Sequence, residues 1–277
     1  MIHTATQLKA KIRNLSGGNS NKAQGLIRNY FMERFLERIS LSPHREKFIL
    51  KGGMLVASLV GLDLRATMDI DTTIRAFDLV KDKATEILEE IMSIELDDDV
   101  SFQITKVTDI MEEFNYPGIR FAIEATLENM KQAIGVDLST GDAITPEAIE
   151  YEYKLMFEDR TISLLTYNVE TLLAEKLETI MTRSIANTRL RDFYDIHMFF
   201  VEKLFEEEGF KQAFCATCHH RKTEEAIPEL PTVLAAVRED ESMKRLWANY
   251  VRGSFYVDDV SWDDVMDSVE SLAKGVE

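Results

Sequence analysis

Residues Leu50 to Ile74 read LKGGMLVASLVGLDLRATMDIDTTI, and the way this run is parsed decides the fold. Lys47–Leu50 is a short strand candidate closed by Gly52-Gly53. Glycine tolerates the sharp turn into a helix, whose first amides can hold phosphate. The helix spans Gly53–Val60, with Gly61 as its stop. Thr67–Phe77 is a strand. Its period of two sets Thr67, Asp69, Asp71 and Thr73 on one face, and Met68, Ile70, Thr72 and Ile74 on the other. Two carboxylates side by side repel unless a cation neutralises them, and a hard cation such as Mg²⁺ takes such oxygens together with substrate phosphates. An Asp-x-Asp on a strand can equally be a solvated polar face. The Gly pair before it, and a third aspartate further on, favour the cation.

That third carboxylate lies on Ala133–Leu138, where Ile134, Val136 and Leu138 form an apolar face and Asp137 stands beside Gly135 on the other. Aspartates on two neighbouring strands can hold two metals about 4 Å apart. An EF-hand is excluded by the missing glycine and distal Glu.

Outward from this centre, two helices open the chain, Thr4–Leu15 and Asn21–Arg38, split by Ser16-Gly17-Gly18-Asn19-Ser20. An amphipathic helix, Leu79–Met92, follows the aspartate strand. Further strands are expected at Val100–Val107, Arg120–Thr126 and Arg160–Tyr167. From Val169 the period turns helical: Val169–Ser184, Leu190–Phe205, Gly209–Arg221 and shorter helices to the end. The expected fold class is α+β, a mixed sheet with helices. The expected division is an N-terminal helical arm (1–44), an α/β domain (45–167) and a C-terminal helical domain (168–277).

In Val169–Ser184, Lys176 and Arg183 fall within the apolar stripe of Val169, Leu172, Leu173, Leu177 and Ile180. They lie about 10.5 Å apart along the axis. Such cations either snorkel to water, or pair with protein carboxylates inside the fold, or meet the phosphates of a triphosphate; the aspartates of the sheet favour the last. On the next helix Asp192 sits at the edge of the apolar face, and Asp195 is expected outward with Arg191 and Glu202.

The net charge of −17 is unevenly spread: residues 1–51 carry +7 and the remaining 226 carry −24. The basic arm could meet an RNA backbone, and the acidic remainder a basic protein. No run of about 18 apolar residues exists, so no membrane span is expected, and Met1–Leu15 has no signal-peptide core. Two cysteines imply a reducing compartment, the cytoplasm. Cys215-Ala-Thr-Cys218-His-His lacks a second ligand pair, so zinc is not expected. Phe193, Tyr194, Phe199, Phe200, Trp247 and Trp262 read as core.

The motifs LKGG at 50–53, RATMDID at 65–71, VDLSTGD at 136–142, AEKL at 174–177 and RDFYDI at 191–196 resemble, in order, those of the AbiEii/AbiGii nucleotidyltransferase-like toxins. These are relatives of the DNA polymerase beta-type superfamily. The resemblance implies a nucleotidyltransferase-like sheet and an Mg²⁺-dependent enzyme, with Mn²⁺ as a substitute. Such an enzyme moves NMP from an NTP to a hydroxyl of RNA (tRNA among them) or of protein, as the toxin of a toxin–antitoxin or phage-defence pair. It implies a winged-helix antitoxin as partner. Asp69, Asp71 and Asp137 would hold metal, Lys176 would contact phosphate, and Asp192 would be the last-motif carboxylate. Lys51, Gly52, Gly53, Arg65, Thr67 and Arg183 complete the expected nucleotide site. Met54 departs from the family, which often has a hydroxyl residue after the Gly pair. Two competing functions are a catalytically silent interaction module and a housekeeping nucleotidyltransferase without antitoxin.

Overall fold

The computed structural model describes residues 1–62, 65–75, 79–111, 117–257 and 259–276. Phe77, the expected end of the aspartate strand, lies outside them. The chain divides into two compact units: Met1–Asp142 with Ile149–Thr166, and Ala143–Ala148 with Tyr167–Glu277.

The first unit begins with α1 (Ala5–Ser16) and α2 (Ser20–Leu41). Thr4 and Gln7 start α1 with a reciprocal capping box, and Gly17 ends it in the left-handed conformation at φ 56°. There follow β1 (Phe48–Lys51), α3 (Gly52–Val60), β2 (Asp69–Ile74), α4 (Lys81–Met92), β3 (Val100–Met111), β4 (Pro117–Leu127), β5 (Met130–Thr140), β6 (Ile149–Lys154) and β7 (Thr161–Thr166). Among the described residues these strands form one mixed sheet in the order β3-β4-β5-β2-β1-β7-β6. β2 runs antiparallel to β1 and parallel to β5, and β5 is antiparallel to β4. Alternation gives β4 a buried row of Ile119, Phe121, Ile123, Ala125 and Leu127, and gives β5 Ile134, Val136 and Leu138. β6, IEYEYK, is the edge strand that the sequence reading missed. Of its residues only Tyr153 is buried, so its apolar signal was slight.

α2 carries Glu33, Arg34, Glu37 and Arg38 into the interior. Arg38 grips Asp98 with both nitrogens, Nη1 to Oδ2 at 2.8 Å and Nη2 to Oδ1 at 2.9 Å, and also donates to the Val100 carbonyl. Arg160 donates to Glu37 at 2.6 Å, and Arg34 pairs with Glu158 at 3.1 Å. Two of the cations in the expected basic arm are therefore spent on internal pairs. Burial pushes the Glu33 carboxyl up to about 7, although the Met156 amide, Arg34 and Asn29 all favour its charged form.

The second unit is helical: α5 (Val169–Arg183), α6 (Leu190–Glu202), α7 (Glu207–Arg221), α8 (Leu230–Glu239), α9 (Glu241–Gly253) and α10 (Trp262–Lys274). Asn168 caps α5 by accepting from the Thr171 amide, and its Nδ2 donates to the Thr145 and Glu147 carbonyls. One side chain thus starts the helix and tethers the 143–148 segment. α6 packs on both α5 and α10, and α5 also on α7. Phe193, Tyr194, Phe199, Trp247 and Trp262 are buried, as expected of core; Phe200 is half-buried. The Trp262 ring lies 5.3 Å from Phe193 and 5.9 Å from Trp247. Among the described residues no helix is long and apolar enough to cross a membrane.

Candidate functional site

The register of four strands builds one charged rung. Lys51 on β1 is opposite Asp71 on β2, Asp71 is beside Asp137 on β5, and Asp137 is opposite Arg120 on β4. Residues paired across strands project to the same face, so the rung reads cation, carboxylate, carboxylate, cation. Asp69 stands one pleat along on the same face, beside Gly135.

The glycines of the motif make room for these carboxylates. Gly52 has φ +66°, and a Cβ there would run into the Asp71 carboxylate. A Cβ on Gly135 would run into the Asp69 carboxylate. At Gly53 the obstacle would be Thr67 Oγ1 at 2.6 Å, with Arg65 Nη2 at 3.4 Å. Any side chain at 52 or 135 would push an aspartate out of place. This explains more than helix entry alone would, because two of the three glycines serve the carboxylates rather than the helix.

Arg120 was not singled out from the sequence. Its Nε donates to Asp137 Oδ1 at 2.8 Å and its Nη2 to Oδ2 at 2.5 Å, a bidentate pair, with Asp69 Oδ2 3.8 Å away. The hydrogen bond to Asp137 raises its pKa above the usual arginine range; burial opposes this, and the charges of Asp137, Asp69 and Asp71 add to it. The guanidinium therefore senses all three carboxylates. The available signal was register: on an antiparallel β4–β5 pair, Arg120 is the residue opposite Asp137.

Lys51 Nζ donates to Asp142 Oδ2 at 2.8 Å, and Ser139 Oγ donates to the same oxygen at 2.9 Å. Burial raises the Asp142 pKa, but Lys51, Thr73 and Ser139 together outweigh it and hold the carboxyl down at about 2. Asp142 ends the VDLSTGD run, yet only the fold shows that it partners Lys51. Arg65 is buried, with its guanidinium donating to the Ala66 carbonyl, and Thr67 Oγ1 donates to the Asp69 carbonyl at 3.2 Å. Both lie against Gly53. Met54 is fully buried, so it fills the core where the family's hydroxyl would stand.

In the helical unit Lys176 is buried between two carboxylates, 3.1 Å from Asp192 Oδ1 and 2.7 Å from Asp195 Oδ2. Arg189 reaches Asp192 Oδ2 at 2.8 Å. For Lys176 the fold shows the internal ion pair, which the sequence reading had ranked below a phosphate contact. Asp195 was expected outward and is instead fully buried. A wheel drawn for one covered face misplaced it, because α6 is covered by both α10 and α5 and its buried arc is correspondingly wide. Arg183 ends α5 and is half-buried.

Among the described residues no group of three or more His, Cys, Asp and Glu side chains is disposed to hold a metal ion. On the sheet, the donor chemistry at Asp69 and Asp71 suits a hard divalent cation, whereas Asp137 is turned into Arg120. Of the two cysteines, Cys215 is exposed, and burial pushes the Cys218 thiol up to about 12.

Residues 34–268 match the model of a family described as the nucleotidyl transferase AbiEii toxin of a type IV toxin–antitoxin system. Two solved Helicobacter pylori structures share the architecture. One is JHP933, with 13% identity, 91% of each chain covered and a TM-score of 0.55. The other is described as a candidate nucleotidyltransferase, with 15% identity, 91% of this chain and 94% of that one covered, and a TM-score of 0.50. At such identities these likenesses speak for the fold. No curated protein matches the chain.

Proposed function

The chain belongs to the AbiEii family of nucleotidyl transferase toxins and is a nucleotidyltransferase, and from that premise we propose that it moves NMP from a nucleoside triphosphate to a hydroxyl of RNA. The observation that carries this is the rung Lys51–Asp71–Asp137–Arg120, with Asp69 beside it on a glycine-cleared face. The acceptor oxygen attacks the α-phosphorus and forms a new P–O bond. The bond to the oxygen bridging to the β-phosphate breaks, pyrophosphate leaves, and the hydroxyl proton passes to solvent.

Asp69 and Asp71 would hold Mg²⁺, with Asp137 as a further ligand, and the ion would supply charge neutralisation at the phosphates and a lowered pKa for the attacking hydroxyl. The amides at the start of α3 face the phosphates, aided by the positive end of that helix. Gly52 and Gly135 keep the two aspartates aimed at one place. The exposed cations of the arm, Lys9, Lys11 and Arg13 among them, favour RNA over a protein acceptor. The antitoxin partner is a winged-helix DNA-binding protein, whose basic surface would suit the −24 of residues 52–277. The working compartment is the cytoplasm.

The test is transfer of ³²P from each α-labelled NTP to total RNA and to total protein, with Mg²⁺ and with EDTA. Label on RNA that needs Mg²⁺ and vanishes in Asp71→Asn supports the reading. Label on protein alone would replace RNA as acceptor, and equal labelling by wild type and Asp71→Asn would refute the site.

A further inference from the structure

Asp69, Asp71 and Asp137 share one small area of the sheet, and the Arg120 guanidinium lies among them. Lys51 is matched in charge by Asp142, 2.8 Å away. Arg120 is bidentate on Asp137 and 3.8 Å from Asp69. Asp137, whose Cα is in register with that of Asp71, is held by the arginine with both oxygens occupied. The arginine is itself accessible: 51% of its side chain is exposed, against 16% for Asp137. It can swing into water without disturbing the core, whereas the aspartate cannot follow.

We propose that Arg120 is a built-in competitor for the divalent cation, a guanidinium that holds Asp137 in the metal-free protein and yields it only when metal enters. This rests on the reading of Asp69, Asp71 and Asp137 as a cation site. The exchange trades one charge-assisted pair for another, so the arginine lowers metal affinity by roughly the strength of the pair it must give up. It also spares the sheet from unscreened carboxylate repulsion when no metal is bound. Binding of metal and release of Arg120 then become one event, which makes the free guanidinium available only when the cation is in place.

The experiment titrates the full-length protein with Mn²⁺ alone, without nucleotide, and follows free Mn²⁺ by its electron spin resonance signal. Arg120→Ala should bind about fivefold more tightly than wild type. Arg120→Lys, which keeps charge but loses the bidentate geometry, should fall between them. The gain should disappear in Arg120→Ala combined with Asp137→Asn. An arginine that merely supported the fold would lower affinity when removed, so unchanged or weaker binding by Arg120→Ala overturns the proposal. Asp71→Asn tests the underlying site separately. If it abolishes binding while Arg120→Ala changes nothing, the site stands and the competitor role falls. If Asp71→Asn binds like wild type, or neither wild type nor Arg120→Ala binds, both fall.

Discussion

Arg120 on the sheet and Lys176 in the helical unit are each a cation set against aspartates, and they differ in one respect, access to water. Arg120 is half-exposed and meets Asp137 at 2.5–2.8 Å; Lys176, 9% exposed, sits between Asp192 and Asp195, at 1% and 0%. In water an ion pair is cheap to open, because solvent takes over both charges. In the interior no solvent replaces a lost partner, and opening leaves buried charge behind. The same chemistry therefore makes an exchangeable contact in one place and a structural joint in the other.

The strongest way to break this comparison is Lys176→Met. It should cost about 3–5 kcal/mol, because Asp192 and Asp195 would each lose a buried cationic partner. Urea denaturation measures it, and a loss under 1 kcal/mol would mean that Lys176 is as exchangeable as Arg120.

Glu33 asks whether burial, rather than the unit a group belongs to, sets the behaviour. Its folded pKa of about 7 lies above the ordinary 4.5, so the folded state holds this proton more tightly than the unfolded chain. The stability present below pH 4.5 is lost as pH rises through about 7, by roughly 3 kcal/mol in all. Glu33→Gln should lack this decline when unfolding is compared at pH 5 and pH 8; parallel curves for the two proteins would show Glu33 to be ionised throughout.

Gly135→Ala sharpens the sheet side. Its methyl would displace the Asp69 carboxylate, at about 1–3 kcal/mol of stability. Nucleotidyl transfer should fall far more than that, and a variant of wild-type activity would separate Asp69 from the chemistry. The smallest effect on stability is expected of Arg120→Ala, under about 1 kcal/mol because the pair is half in water. A melting temperature lowered by more than a few degrees would contradict that.

How far the site was legible followed from how local its signals were. Gly52-Gly53, Asp69-x-Asp71 and the alternation around Asp137 each depend on a few neighbouring residues, and all were found. Arg120 and Asp142 act through strand register and a turn, which join positions far apart in the chain. β6 went unseen because an edge strand buries too little to leave an apolar row. Asp195 was misplaced because periodicity in one helix cannot count its neighbours, and the Glu33, Arg34, Glu37 and Arg38 set on α2 reads as a polar face until Asp98, Glu158 and Arg160 are brought against it.

By itself the sequence determined the alternation of α/β and helical segments, the glycine-flanked aspartates and the family's order of motifs, because these follow from backbone periodicity and steric permission within short windows. Only the tertiary structure decided which cation answers which carboxylate: Arg120 to Asp137, Lys51 to Asp142, Lys176 to Asp192 and Asp195. Charge pairing depends on distance and on exclusion of water, and both are set by how distant segments fold together.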